Sequence, residues 1–182
     1  MKKKSLVLLA ALVLVVACVI GGTLAWLTDK TDAVVNTFTT SDIHITLTET
    51  EAVYKMIPGY EIEKDPRAAV VEGSEECYLF VKLNKSQNFD SYLTYEIAAG
   101  WTALPEDDTV YYRKVLQADM GTAYSILKDD KVSVKREITK EMMEAAENNK
   151  PTLTITAYAS QLYKNNTEEF TAAEAWTNVL TY

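Results

Sequence analysis

"CYLFVKLN", residues 77–84, sets Cys77, Leu79, Val81 and Leu83 on one side of an extended chain and Tyr78, Phe80 and Lys82 on the other. Successive side chains of a strand point to opposite faces, so this period of two predicts β-structure. The same alternation occurs upstream, where Ile43, Ile45 and Leu47 alternate with His44, Thr46 and Thr48, the pattern of a strand with one wet face. Further strands are expected over residues 53–57, 68–72, 92–98, 109–116, 123–127, 131–137 and 152–163, nearly all rich in β-branched or aromatic side chains. Pro58-Gly59 suits a type II turn, with proline presetting the first central residue and glycine taking positive φ at the second. Asp65-Pro66 and Glu72-Gly73-Ser74 punctuate the chain in the same manner. Two segments leave the β pattern. Residues 139–149 begin on a threonine cap and are full of helix formers, and Thr171 with Glu174 forms a capping box that opens a short helix through Trp176 to Leu180. Strands with short intervening helices and no βαβ rhythm predict a two-sheet antiparallel sandwich.

Ahead of this body lies a different kind of sequence. Met1 to Lys4 supply three lysines, and the 24 residues from Ser5 to Thr28 carry no charge. A basic start followed by an apolar block predicts an export leader. Its length also suffices for a membrane-crossing helix, which needs roughly 20 residues, so length alone serves an anchor equally well. Gly21-Gly22 would end such a helix and present an extended segment to a peptidase, and Thr23-Leu24-Ala25 offers small residues where that enzyme reads. Cleavage between Ala25 and Trp26 is expected, dividing the chain into a signal peptide, 1–25, and one β-sandwich domain, 26–182. Val15-Val16-Ala17-Cys18 offers a competing cut resembling a lipobox, which would leave a lipid-anchored Cys18. Retention of the leader as a membrane tether is the remaining alternative.

Cutting after Ala25 leaves 157 residues, with 15 basic against 26 acidic ones and a formal charge of −11. One core is expected for that length, burying roughly 70% of the unfolded surface. The acidic balance argues against nucleic acid, whose phosphates need the opposite sign. No stretch shows the spaced oxygen ligands of a calcium loop. Only Cys77 remains after cleavage, so no internal disulfide forms, and its place at the start of an apolar run predicts a buried residue. His44 is the single histidine of the chain. A catalytic zinc generally takes three protein ligands, and a serine or cysteine triad needs a histidine base beside a recognisable nucleophile; neither pattern surrounds His44. No glycine-rich phosphate loop occurs, and neighbouring carboxylates such as Glu75-Glu76 point to opposite faces of a strand. Trp101 and Tyr111-Tyr112 suit a ligand platform in principle, but cross-strand packing is the ordinary use of aromatics in a sandwich. A non-catalytic protein without metal or cofactor is expected.

The leader ending "GGTLAWLTD" and the following "NTFTTSDIHITL" resemble the TasA and camelysin family of exported proteins of Firmicutes. The likeness rests on Gly21, Gly22, Thr23, Ala25 and Trp26, then Asn36, Phe38, Thr39, Ile43 and Ile45. "KMIPGYEIEKDP" at 55–66, "EGSEECYLFVKL" at 72–83 and "LTITAYASQ" running on to "AEAW" are similar to the family too. The resemblance implies processing by a signal peptidase of the SipW kind, a jelly-roll-like β-sandwich, and a secreted structural role in the extracellular matrix or on the cell or spore surface. Among its implied partners is a second copy or a related matrix subunit, with membrane contact only through the uncleaved leader. It also implies that residues 26–50, once freed, serve as a donor strand for the next subunit of a fibre. Adding a strand to an exposed sheet edge is a known route to assembly. The family name further carries a metallo-endopeptidase label through camelysin, for which this sequence offers no ligand set.

Overall fold

The computed structural model describes residues 42–51 and 53–181 and, in the amino-terminal segment, only Lys3, Lys4, Val7 and Val13, all helical. In chain order the strands are β1 (Ile45–Thr48), β2 (Glu61–Glu63), β3 (Arg67–Val70), β4 (Cys77–Lys85), β5 (Leu93–Thr94), β6 (Thr102–Leu104), β7 (Asp107–Val115), β8 (Tyr124–Ser125), β9 (Lys131–Val134), β10 (Leu153–Gln161), β11 (Tyr163–Asn165) and β12 (Glu168–Glu169). The helices are α1 (Phe89–Tyr92), α2 (Lys140–Asn148) and α3 (Ala172–Leu180). The protein is mainly β, and every strand pair is antiparallel.

The centre is a four-stranded sheet in the order β10-β4-β7-β6. Its register puts Val81 of β4 beside Tyr111 of β7 and Ala157 of β10, and Phe80 beside Tyr112 and Tyr158. On one face, Cys77, Leu79, Val81 and Leu83 share a core with Ala68 and Val70 of β3, and with side chains of the β2-β9-β5 sheet such as Val132. The β1-β3-β8 sheet and the β2-β9-β5 sheet thus both pack onto that face. On the other face, Tyr78, Phe80 and Val110 are covered by α3 through Ala175 and Trp176. Phe80 and Trp176 lie 5.2 Å apart between ring centroids, and Tyr158 meets Trp176 edge-on at 5.3 Å. The Tyr78 hydroxyl donates to the Phe170 carbonyl at 2.9 Å, which pins the segment leading into α3. Of the charged side chains on this face, Lys82 pairs with Asp107 at 2.9 Å, and Lys114, opposite Tyr78, pairs with Glu169. Hydrogen bonds from Thr109 and then Lys82 hold the Asp107 carboxyl below the usual carboxylate range.

The local signals read from sequence act here as physics requires. Tyr60 N donates to the Ile57 carbonyl at 3.0 Å across Pro58-Gly59, and Gly59 has φ +80°, as a type II turn demands. Gly73 does the same at φ +86° between Val71 and Ser74. Thr171 accepts from Glu174 N, and Glu174 reaches back to Thr171 N at 2.8 Å, so the capping box closes in both directions.

Three expectations need correction. Residues 53–57 form no strand; Tyr54 instead hydrogen-bonds the Glu49 carboxylate at 2.6 Å, and the segment runs as an irregular strap. The stretch 92–98 contributes only β5 and an isolated bridge at Ile97, because Tyr92 completes helix α1. Three short α-helices appear among the described residues, where one or two were expected.

Candidate functional site

The feature of the sheet that is least defended lies at one of its edges. β6 closes one side with three residues and a register irregularity between Ala103 and Leu104. β10 forms the other side with nine residues in unbroken register with β4, and among the described residues nothing pairs with its far edge. Its sequence, LTITAYASQ, contains no charge and no proline. Folded proteins ordinarily blunt an edge with lysine, proline, a bulge or short length, since unpaired amides and carbonyls template another strand. β6 has two of these protections. β10 has none.

A groove of about 710 Å³ runs along this edge. Five consecutive residues of β10, Ala157 to Gln161, line it, so it exposes the strand's backbone edge rather than one face. Ile43 and Ile45 bound it on one side, Asn178 and Val179 of α3 on the other. Ile43 and Ile45 pack against the core shared by the sheets, and Val179 against the core beneath α3. An extended chain laid on β10 would therefore direct alternate side chains toward two apolar surfaces while its backbone met the free amides and carbonyls. β1 pairs only with β3 among the described residues, so a second free edge faces the same groove.

The residues singled out from sequence fall as follows. Ala25, Trp26 and Cys18 lie outside the described residues. Of the donor segment 26–50, residues 45–48 are paired within the chain's own sheet, from Ile45 opposite Val70 to Thr48 opposite Arg67. Thr50 N donates to Asp65 at 3.0 Å. Those residues are occupied within the chain's own fold, and residues 26–41 lie outside the described residues. His44 is exposed and contacts Asp42 at 3.0 Å. Among the described residues no group of three His, Cys, Asp or Glu side chains gathers as a metal site requires. Cys77 is fully buried, and burial pushes its thiol pKa up to about 11. Trp101 donates its indole N–H to the Ser125 carbonyl at 2.8 Å and packs in the core with Tyr111, while Tyr112 joins the aromatic cluster beneath α3. Sequence reasoning missed Asn178, Val179 and the edge status of β10. The available signal was the absence of charge over nine residues of a strand, which marks either a central strand or an unguarded edge.

No family model, curated protein or solved structure matches the chain.

Proposed function

We propose that this protein is a secreted, non-catalytic structural subunit of the extracellular matrix or cell surface. In this reading a signal peptidase of the SipW kind cuts between Ala25 and Trp26. The freed residues 26–41 of one copy then add as a strand to the β10 edge of the next. The body is read as a jelly-roll-like sandwich of the TasA and camelysin kind, to which the sequence motifs point. The observation that carries the assembly step is the nine-residue, uncharged edge of β10, unpaired among the described residues, beside a groove walled by Ile43 and Ile45 and by Asn178 and Val179. Main-chain hydrogen bonds supply affinity in such strand addition, and pockets for alternate side chains supply register. Residues 26–41 offer what the groove takes: Val34, Val35 and Phe38 as apolar side chains among threonines.

The test uses chain starting at Trp26, followed by sedimentation velocity and electron microscopy. Concentration-dependent multimers or fibres are expected, with deletion of 26–36 leaving monomers. Asn178→Arg, which fills the groove without touching either core, should weaken assembly at least tenfold. Monomers at high concentration, or assembly indifferent to both changes, would remove the proposal.

A further inference from the structure

The segment 53–60, VYKMIPGY, is apolar yet turned outward. Val53 is 86% exposed, Ile57 52% and Tyr60 64%, in a protein with enough core to have buried them. The turn is not loose. Besides its own hydrogen bond it is tied to β9 by Gly59 N to the Val134 carbonyl at 3.1 Å and Val134 N to the Tyr60 carbonyl at 2.8 Å. The Arg136 stem packs beneath it, 3.1 Å from where a β-carbon on Gly59 would stand. The backbone that carries Ile57 and Tyr60 is thus fixed before contact, which leaves only their side chains to be ordered. Behind the strap lies a cleft of about 660 Å³ with an apolar floor that includes Met56, Ile62, Leu93, Val132 and Met143.

The charges around this end are also distinctive. Among the described residues of the β body, the cations without a carboxylate within 4.0 Å are Lys55, Arg113, Lys135, Arg136 and Lys150. All but Arg113, which is stacked 3.4 Å over the Tyr124 ring, sit beside the turn or the cleft. Lys55 lies within the strap, Lys135 and Arg136 follow directly on Val134, and Lys150 lines the cleft. Glu144 and Glu147 stand on the cleft wall, so the cations nearest the turn, Lys55 and Arg136, carry the polar half of any contact.

We propose that this turn is a docking surface for an anionic lipid bilayer, a membrane contact independent of the leader and separate from strand addition at β10. Ile57 enters the interfacial layer, Tyr60 keeps its hydroxyl at headgroup level, and Lys55 and Arg136 meet the phosphates. The chain from Trp26 onward, with 15 basic against 26 acidic residues and a formal charge of −11, is repelled by such a surface over most of its body, so contact is confined to this end and orients the body.

Cosedimentation with vesicles tests this, using chain from Trp26 onward, which contains the compact unit Thr40–Tyr182. Vesicles of phosphatidylglycerol with phosphatidylcholine should bind the protein, and pure phosphatidylcholine vesicles much less. Ile57→Asp with Tyr60→Asp should lower binding at least tenfold. Lys55→Gln with Arg136→Gln should lower it by about fivefold per cation and flatten its salt dependence. Leu180→Asp, which alters an equally exposed leucine on α3, should leave it unchanged. Equal binding to both vesicle types, no loss in the turn variant, or the same loss from Leu180→Asp would overturn the proposal. So would loss of self-association by the turn variant without vesicles, which would assign the turn to a second copy. Strand addition is read without lipid, so either proposal can fail alone.

Discussion

On one face of β4, Leu79, Val81 and Leu83 meet side chains from three sheets; on the other, Tyr78 and Phe80 share a smaller core with Leu162, Phe170 and one helix of nine residues. The first burial is spread over many strands, none of which carries it alone. The second depends on α3, and an isolated helix shorter than roughly 12–15 residues is marginal in water. What holds α3 is therefore the aromatic contact and the cap, not its own propensity. The difference teaches that a strand buried on both faces can still belong to two units of unequal robustness, one able to open while the other stays shut. This matters for the proposed groove, since Asn178 and Val179 of α3 form one of its walls.

The largest expected effect is Phe80→Ala, which empties the middle of the aromatic cluster and should cost about 3–5 kcal/mol. Leu79→Ala, one residue away and facing the other core, should cost about 2–5 kcal/mol. Denaturant unfolding gives the totals, but amide exchange separates the faces. In Phe80→Ala the α3 amides should lose protection before those of β3; equal loss in both elements would merge the two units into one. Next in size is Cys77→Ser, which buries a hydroxyl at the start of the aliphatic face and should cost about 1–3 kcal/mol. The native thiol, fully buried and with its pKa raised to about 11, should resist an aromatic disulfide reagent at pH 8 and react only as the protein unfolds. Rapid labelling of folded protein would contradict the burial of this face.

Much of β4 was legible because its period of two needs no knowledge of neighbours: residues 77–84 were expected and Cys77–Lys85 is observed. The same holds for Gly59, Gly73 and the Thr171–Glu174 box, where a single local geometry demands a particular residue. β2 escaped notice because its sequence, Glu-Ile-Glu, carries one apolar side chain, and its pairing with β9 is made by backbone. Residues 53–57 read as a strand on composition, yet among the described residues no strand lies beside them, and the segment becomes a strap. The groove was illegible for a similar reason. That β10 sits at an edge is decided by which strands lie beside β4, and nothing within residues 153–161 encodes it.

The smaller effects concern the cap of α3. Thr171→Ala removes the side chain that accepts from Glu174 N and should cost about 1 kcal/mol, lowering Tm by about 2–4 °C. Because α3 carries Trp176 into the aromatic face, the near-ultraviolet dichroism of Trp176 should begin to melt below the global transition in this variant, while β-sheet signal persists. A single coincident transition would argue that the helix and the sheets unfold together. The cap also has an acid signature. Hydrogen bonds from Lys164, then from Thr171, hold the Glu174 pKa down to about 2, against 4.5 for the free side chain. A depressed folded-state pKa means that its contribution is fully present above pH 4.5 and is lost as pH falls from there toward 2. Glu174→Gln should therefore flatten the stability profile in that window and leave the profile above pH 5 with its original slope. Asp107, on the same sheet face, is also held below the usual carboxylate range, so the comparison is the difference between variant and parent. Because Glu174 anchors the first turn of α3, the lost acid sensitivity should show most in the Trp176 signal; an undiminished acid response there would place the acid-labile element elsewhere in the sheet.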